Sequence, residues 1–137
     1  VDDVIAMLRR LFSGRVRFHD GDEEIAPGIS VHYVGGHTMG SQVVRVMTRQ
    51  GWLVLASDAC PFFASRELGL PFPAVFDVGE MLQGYERVRD LASADHLVIP
   101  GHDALVLDRY QVAGPELGGL VMRLDADPIN PIPGASE

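Results

Sequence analysis

Lysine is missing from this chain, cysteine occurs once, and no methionine precedes Val1. All eleven basic residues are arginine, a compositional bias of the source with no chemistry of its own. The single Cys60 excludes an internal disulfide. Val1-Asp2-Asp3 lacks the basic and apolar leader of a secreted chain, so a reducing, cytoplasmic setting is expected. The missing methionine makes the chain read as a piece of something longer. No apolar run approaches the roughly 20 residues of a membrane span, so no membrane partner is expected. Positive charge is also short: the net charge of −8 repels phosphate backbones and excludes nucleic acid as the main partner. No internal repeat is visible. What remains is an ordinary globular composition, 47% hydrophobic and 22% charged. The 137 residues suffice for one domain that buries roughly 70% of its unfolded surface.

Val1, Val4, Ile5, Leu8, Leu11 and Phe12 recur at helical spacing, with acids at the start, arginines at the end and Gly14 as a stop. This predicts an amphipathic packing helix. Arg15 to Phe18 reads as a short strand, and Asp20, Asp22, Glu23 and Glu24 as a solvated acidic turn; the ligand series of a calcium loop is absent. Strands are expected over Ile29–Val34, Gln42–Thr48 and Trp52–Ser57, the last two forming a hairpin around Gln50-Gly51. The last strand is nearly all apolar, as in one buried on both faces. Asp77 should cap a helix with Glu80 as its reciprocal partner, and Val78, Met81, Leu82, Tyr85, Val88 and Leu91 should form the buried stripe. His96–Ile99 reads as a strand with His96 exposed, and Leu105–Tyr110 as a short helix or turn. The domain would occupy residues 1–124, and residues 125–137, rich in Pro and Gly, would be a loose tail.

Three positions stand out. His37 follows Gly35-Gly36, Asp58 ends the apolar strand, and His102 follows Ile99-Pro100-Gly101. Ends of strands are where α/β folds place their sites. A carboxylate at the end of a buried strand is costly unless paired or bound to metal. Imidazole and carboxylate together suit zinc, with iron or manganese as less selective alternatives. Taken singly, each reads more readily as a turn or core residue than as a ligand. Phe62, Phe63, Leu68, Leu70 and Phe72 could line an apolar substrate pocket beside the acid, or simply cover the core. Cys60 is expected to be a small buried filler.

Together, the phrases Val34-Gly35-Gly36-His37-Thr38, Leu55-Ala56-Ser57-Asp58-Ala59 and Val98-Ile99-Pro100-Gly101-His102-Asp103 resemble the C-terminal half of the metallo-β-lactamase superfamily. Within it the chain looks most like the N-acyl-homoserine lactonases, over about residues 14 to 112. The resemblance implies half of an αββα sandwich and two metal ions, most simply Zn2+. His37 would bind the first ion, His102 the second, and Asp58 would bridge them and be catalytic. Thr38 and Ser57 would support these ligands. The implied reaction is attack of a metal-bridged hydroxide on a lactone or related ester, with Phe62 and Phe63 contacting substrate. The chain departs from the pattern in two ways. The family's His-x-His-x-Asp-His motif is absent, and His19 and His32 do not replace it. Pro61, Phe62 and Phe63 stand where well-known lactonases carry a tyrosine. The chain is therefore expected to hold half a site and to be inactive or incomplete alone. Its uncovered strand faces should favour homo-oligomers or a complementing N-terminal half. A glyoxalase II-like thioester hydrolase and a non-catalytic binding partner are the alternatives.

Overall fold

The computed structural model describes residues 1–130. In chain order the elements are α1 (Asp2–Phe12), β1 (Glu23–Ala26), β2 (Ile29–Tyr33), β3 (Gln42–Thr48), β4 (Gly51–Ser57), α2 (Phe63–Glu67) and α3 (Val78–Leu91). They are followed by β5 (Val98–Pro100), α4 (Leu105–Arg109), β6 (Gln111–Val112) and β7 (Met122–Arg123). The architecture is mixed α/β. No helix among the described residues is long and apolar enough to cross a membrane.

The first five strands form one sheet in the order β1-β2-β3-β4-β5. The first four pair antiparallel, while β4 and β5 run parallel. Parallel neighbours need a crossover, and the segment carrying α2 and α3 supplies it. The predicted hairpin is present, but Thr48 pairs with Gly51, so it turns through Arg49 and Gln50, one residue earlier than the expected Gln50-Gly51, and Gly51 opens β4.

Strand alternation splits the apolar residues between two cores. Val43, Val54, Ala56 and Val98 face Met81, Tyr85 and Val88 of α3, with Cys60 at the same core. Leu53 and Ile99 point the other way, toward Phe63, Leu97 and Tyr110. On that second face coverage is uneven, and Leu55 remains 37% exposed. Arg66, almost fully buried, donates two hydrogen bonds to Asp95, one of them 3.0 Å long. Arg109 stacks 3.8 Å from the Phe63 ring centroid.

Several expectations are corrected. Residues 15–18 form no strand. The acidic turn is not merely solvated: Asp22 accepts from Arg87 on α3 at 2.7 Å and lies 3.0 Å from His32 Nδ1, which ties the β1–β2 edge to the helix. Val78 and Leu82 stay exposed, because the sheet covers only the part of α3 that carries Met81, Gly84, Tyr85 and Val88. His96 falls in a 3-10 turn (Asp95–Leu97), where its Nε2 is buried, because that turn packs beneath Tyr110. Residues 125–130 are anchored: Asp125 pairs with Arg49, Asp127 accepts from Gln50, and Ile129 N–H reaches the Arg109 carbonyl at 2.7 Å. Residues 131–137 lie outside the described residues.

Candidate functional site

Asp58 and His102 meet at the ends of the two parallel strands. The loops that carry them are zipped by backbone hydrogen bonds, Gly101 N–H to the Cys60 carbonyl at 3.2 Å and His102 N–H to the Pro61 carbonyl at 2.9 Å. Gly101 is needed there for closeness, since a Cβ on it would stand 2.5 Å from the Ser57 carbonyl oxygen. Ser57 itself has φ of +47°, a left-handed conformation that costs a serine about 1–3 kcal/mol. The strain falls on the residue that turns the chain into Asp58. His102 Nε2–H donates to Asp58 Oδ1 over 2.6 Å, with the two side chains 58% and 47% exposed. An imidazole oriented by a carboxylate in this way is the form that accepts or delivers a proton.

Asp103 closes the arrangement from beneath. Its Oδ1 accepts from Leu105 N–H at 3.0 Å, and its Oδ2 accepts from Phe63 N–H at 2.9 Å. One carboxylate thus holds the starts of both α4 and α2. The first contact is a local Asx pattern that sequence can suggest; the second spans 40 residues and leaves no sequence signal.

His37 approaches from the loop after β2. Its Nδ1 lies 2.6 Å from the Ala74 carbonyl, which can only accept, so Nδ1 donates, and in the neutral ring Nε2 is the nitrogen that keeps a lone pair. That is the tautomer of a histidine prepared to ligate a metal. Thr38 and Ser41 hydroxyls bond each other at 2.9 Å, and Ser41 Oγ also accepts from Thr38 N–H. His37, Thr38, Ser41, Gln42, Ser57, Asp58 and Ala59 line one groove of about 270 Å3.

Of the five residues singled out by sequence, His37 and Asp58 share this groove, and His102 is hydrogen-bonded to Asp58. The two phenylalanines do not join them as a pair. Phe63 is 2% exposed and packs with Leu53, Leu97, Ile99 and Tyr110 in the second core, so the substrate contact expected of it is corrected: that apolar core takes the ring. Phe62 remains 37% exposed, tilted against Phe72 with ring centroids 5.8 Å apart. Cys60 is buried as expected, and burial pushes its thiol up to about 11, which disfavours the thiolate.

These residues do not by themselves make up a dinuclear metal site. Among the described residues, no three His, Cys, Asp or Glu side chains come together as a group that could hold a metal ion. A catalytic zinc takes three protein ligands and one open position. Here one side of the groove offers a free imidazole nitrogen, while the Asp58–His102 contact engages Nε2 and one carboxylate oxygen.

No protein-family model matches the sequence, and no curated protein matches it. Solved structures do. An N-acyl homoserine lactone hydrolase with N-hexanoyl-L-homoserine at its catalytic metal center is similar at 28% identity and a TM-score of 0.56. The match covers 64% of this chain and 36% of that one. A variant of Bacillus thuringiensis AiiA with N-decanoyl-L-homoserine at its active site matches with the same values. A probable metal-dependent hydrolase from Staphylococcus aureus, 17% identical with a TM-score of 0.55, covers 72% of this chain and 35% of its own; it supports the fold alone. The chain spans little more than a third of the length of the structures it matches. It has part of a metallo-β-lactamase fold, and its resemblance within that fold is to the N-acyl homoserine lactonases.

Proposed function

We propose that this chain carries part of the metal site of a metal-dependent hydrolase that opens lactones, N-acyl homoserine lactones being the first class to test. His37, Asp58 and His102 would be its ligands, with Asp58 shared between two ions and the remaining ligands supplied from outside these residues. Zinc suits this donor set best, with iron and manganese next. The metal would supply a neutral-pH nucleophile and polarise the ester carbonyl. This chain's own residues would hold the ligands in register: Gly101 and the zipped loops fix Asp58 against His102, and the Ala74 carbonyl fixes the His37 tautomer. Phe62 is the exposed aromatic left to meet an acyl chain. A complementing N-terminal half or a second copy would be the partner.

The single observation that carries this reading is the placement of His37 and Asp58 in one groove, with His102 2.6 Å from Asp58, in a fold matched by lactonases. The test has two parts on the purified chain. Zinc titration of the wild type, His37→Ala and Asp58→Ala should show weak binding that either substitution lowers further; equal binding by all three removes the ligand assignment. A panel of an acyl homoserine lactone, a simple ester and an acyl thioester should show little or no turnover by the chain alone. Chelator-sensitive lactone turnover at enzymatic rates would overturn the half-site, while a response to the thioester alone would move the substrate class. The lack of a three-ligand group among the described residues favours a second reading, a non-catalytic binding partner. In that case fold and association survive the double substitution of His37 and Asp58 unchanged.

A further inference from the structure

The N-terminus of α3 is built differently from an ordinary capped helix. Asp77 and Glu80 have the spacing of a capping box, in which the cap accepts from the backbone three residues on and the glutamate reaches back to the cap's own N–H. The first half is present: Asp77 Oδ1 accepts from Glu80 N–H at 2.8 Å. The second half is diverted. Asp77 N–H goes to the Gly36 carbonyl at 3.0 Å, which also accepts from Phe76 N–H at 2.8 Å. Glu80 Oε2 in turn accepts from Gly36 N–H at 3.2 Å. The peptide groups on both sides of Gly36 therefore replace the local partners that the cap would use by itself.

Gly36 has φ of +78°, and a Cβ on it would stand 2.5 Å from Met81 Cα, so glycine alone lets the loop press against the helix this closely. The next residue is His37, whose Nδ1–H is directed to the Ala74 carbonyl in the segment leading into the same helix. The loop and the helix start are thus clasped on both sides of one peptide.

We propose that Glu80 is a positioning residue for His37: by holding the Gly36 N–H it fixes the Gly35–Gly36 peptide, while the Gly36 carbonyl is held by Phe76 and Asp77, so that the residue before the histidine is fixed from both sides and Nε2 stays directed away from the Ala74 contact and free to bind. The claim deepens the hydrolase reading, in which His37 is a ligand, but its geometry stands without a metal. A glutamate serving only as a helix cap would make the same contribution to stability and leave the imidazole indifferent.

The decisive variant is Glu80→Asp. It retains a carboxylate in the first turn of α3, favourable to the helix dipole, but is one methylene short of Gly36. Glu80→Gln retains the length and an acceptor oxygen. Both are compared with the wild type, without metal, at pH 8.5, above the ordinary imidazole range. Nitrogen-15 NMR reads the His37 tautomer, and amide hydrogen exchange reads Gly36. In Glu80→Asp, Gly36 exchange should accelerate roughly tenfold, as for loss of a charge-assisted hydrogen bond. His37 should then change from one Nδ1–H tautomer to a mixture, and Glu80→Gln should restore the single tautomer. An unchanged Gly36 amide and His37 tautomer in Glu80→Asp would overturn the proposal, as would equal disturbance by Gln. Equal zinc binding by wild type, His37→Ala and Asp58→Ala with these signals intact would count against the hydrolase reading alone.

Discussion

Of the two longest helices among the described residues, α3 buries much of the stripe that its sequence promises and α1 does not. α1 has the cleaner amphipathic stripe, yet none of its residues is buried, and Val1 and Phe12 are 97% and 88% exposed. α3 has a more broken stripe, interrupted by Gly79 and Gly84, yet it buries Met81, Gly84, Tyr85 and Val88 against the sheet. Periodicity states which face of a helix would gain from cover; it does not state that cover exists. α3 is also tied at both ends, by Gly36 at its start and by the Leu91 carbonyl accepting from Arg45 near its finish. An isolated helix of eleven residues is marginal in water, so α1 is the element whose stability most needs a neighbour.

The largest test of this contrast is a matched pair of truncations. Tyr85→Ala should cost about 3–5 kcal/mol, the cost of removing a buried aromatic, and Leu8→Ala within about 1 kcal/mol, as at a surface position. Urea unfolding of both variants decides it; equal losses would mean that α1 is covered in solution. Next in size is the thiol beneath α3. With burial holding Cys60 up at about 11, native protein at pH 8 should be alkylated about a hundredfold more slowly than unfolded chain. Iodoacetamide labelling followed by mass spectrometry reads this directly, and rapid native labelling would mean that α3 lifts readily from the sheet.

At the ends of β4 and β5, Gly101→Ala should cost about 1–3 kcal/mol, because the new methyl meets Ser57 backbone and not a flexible side chain. The same substitution should separate Asp58 from His102, seen as loss of their close contact in NMR spectra. The smallest effect is acidic. Burial alone would raise the Asp95 carboxyl, but its hydrogen bond and ion pair with Arg66, helped by Arg89, hold it below the ordinary range. A lowered folded-state value means that this stability is present above the unfolded carboxylate value near 3.9 and is lost as pH falls through the folded value. With Asp95 41% exposed, the loss should be on the order of 1 kcal/mol after screening. Asp95→Asn should remove that part of the acid dependence, read from melting temperatures between pH 5 and pH 2. Retention of the full dependence would place it elsewhere.

Much of the site is legible in the chain. The strands that carry it are clear from alternation and from the hairpin signal near Gln50, and Gly-His, Ser-Asp and Gly-His at their ends mark the three chemical residues. The roles of Phe63, Asp103 and Glu80 are not legible in the same way. Phe63 is enclosed by residues from distant segments, and its N–H is held by a carboxylate 40 residues away. Glu80 leaves its local partner for a peptide 44 residues earlier. His96 is drawn under Tyr110, against the expectation of an exposed residue at a strand's start.

The elements, and the ends at which chemistry would sit, follow from local properties of a few neighbouring residues: hydrophobic alternation, capping residues and glycine turns. Which of those ends meet is a matter of folding in three dimensions. Convergence of Asp58 with His102, enclosure of Phe63 and the clasp on Gly36 each involve hydrogen bonds between segments far apart in the chain, and several of the partners are backbone groups, which leave no mark in the sequence.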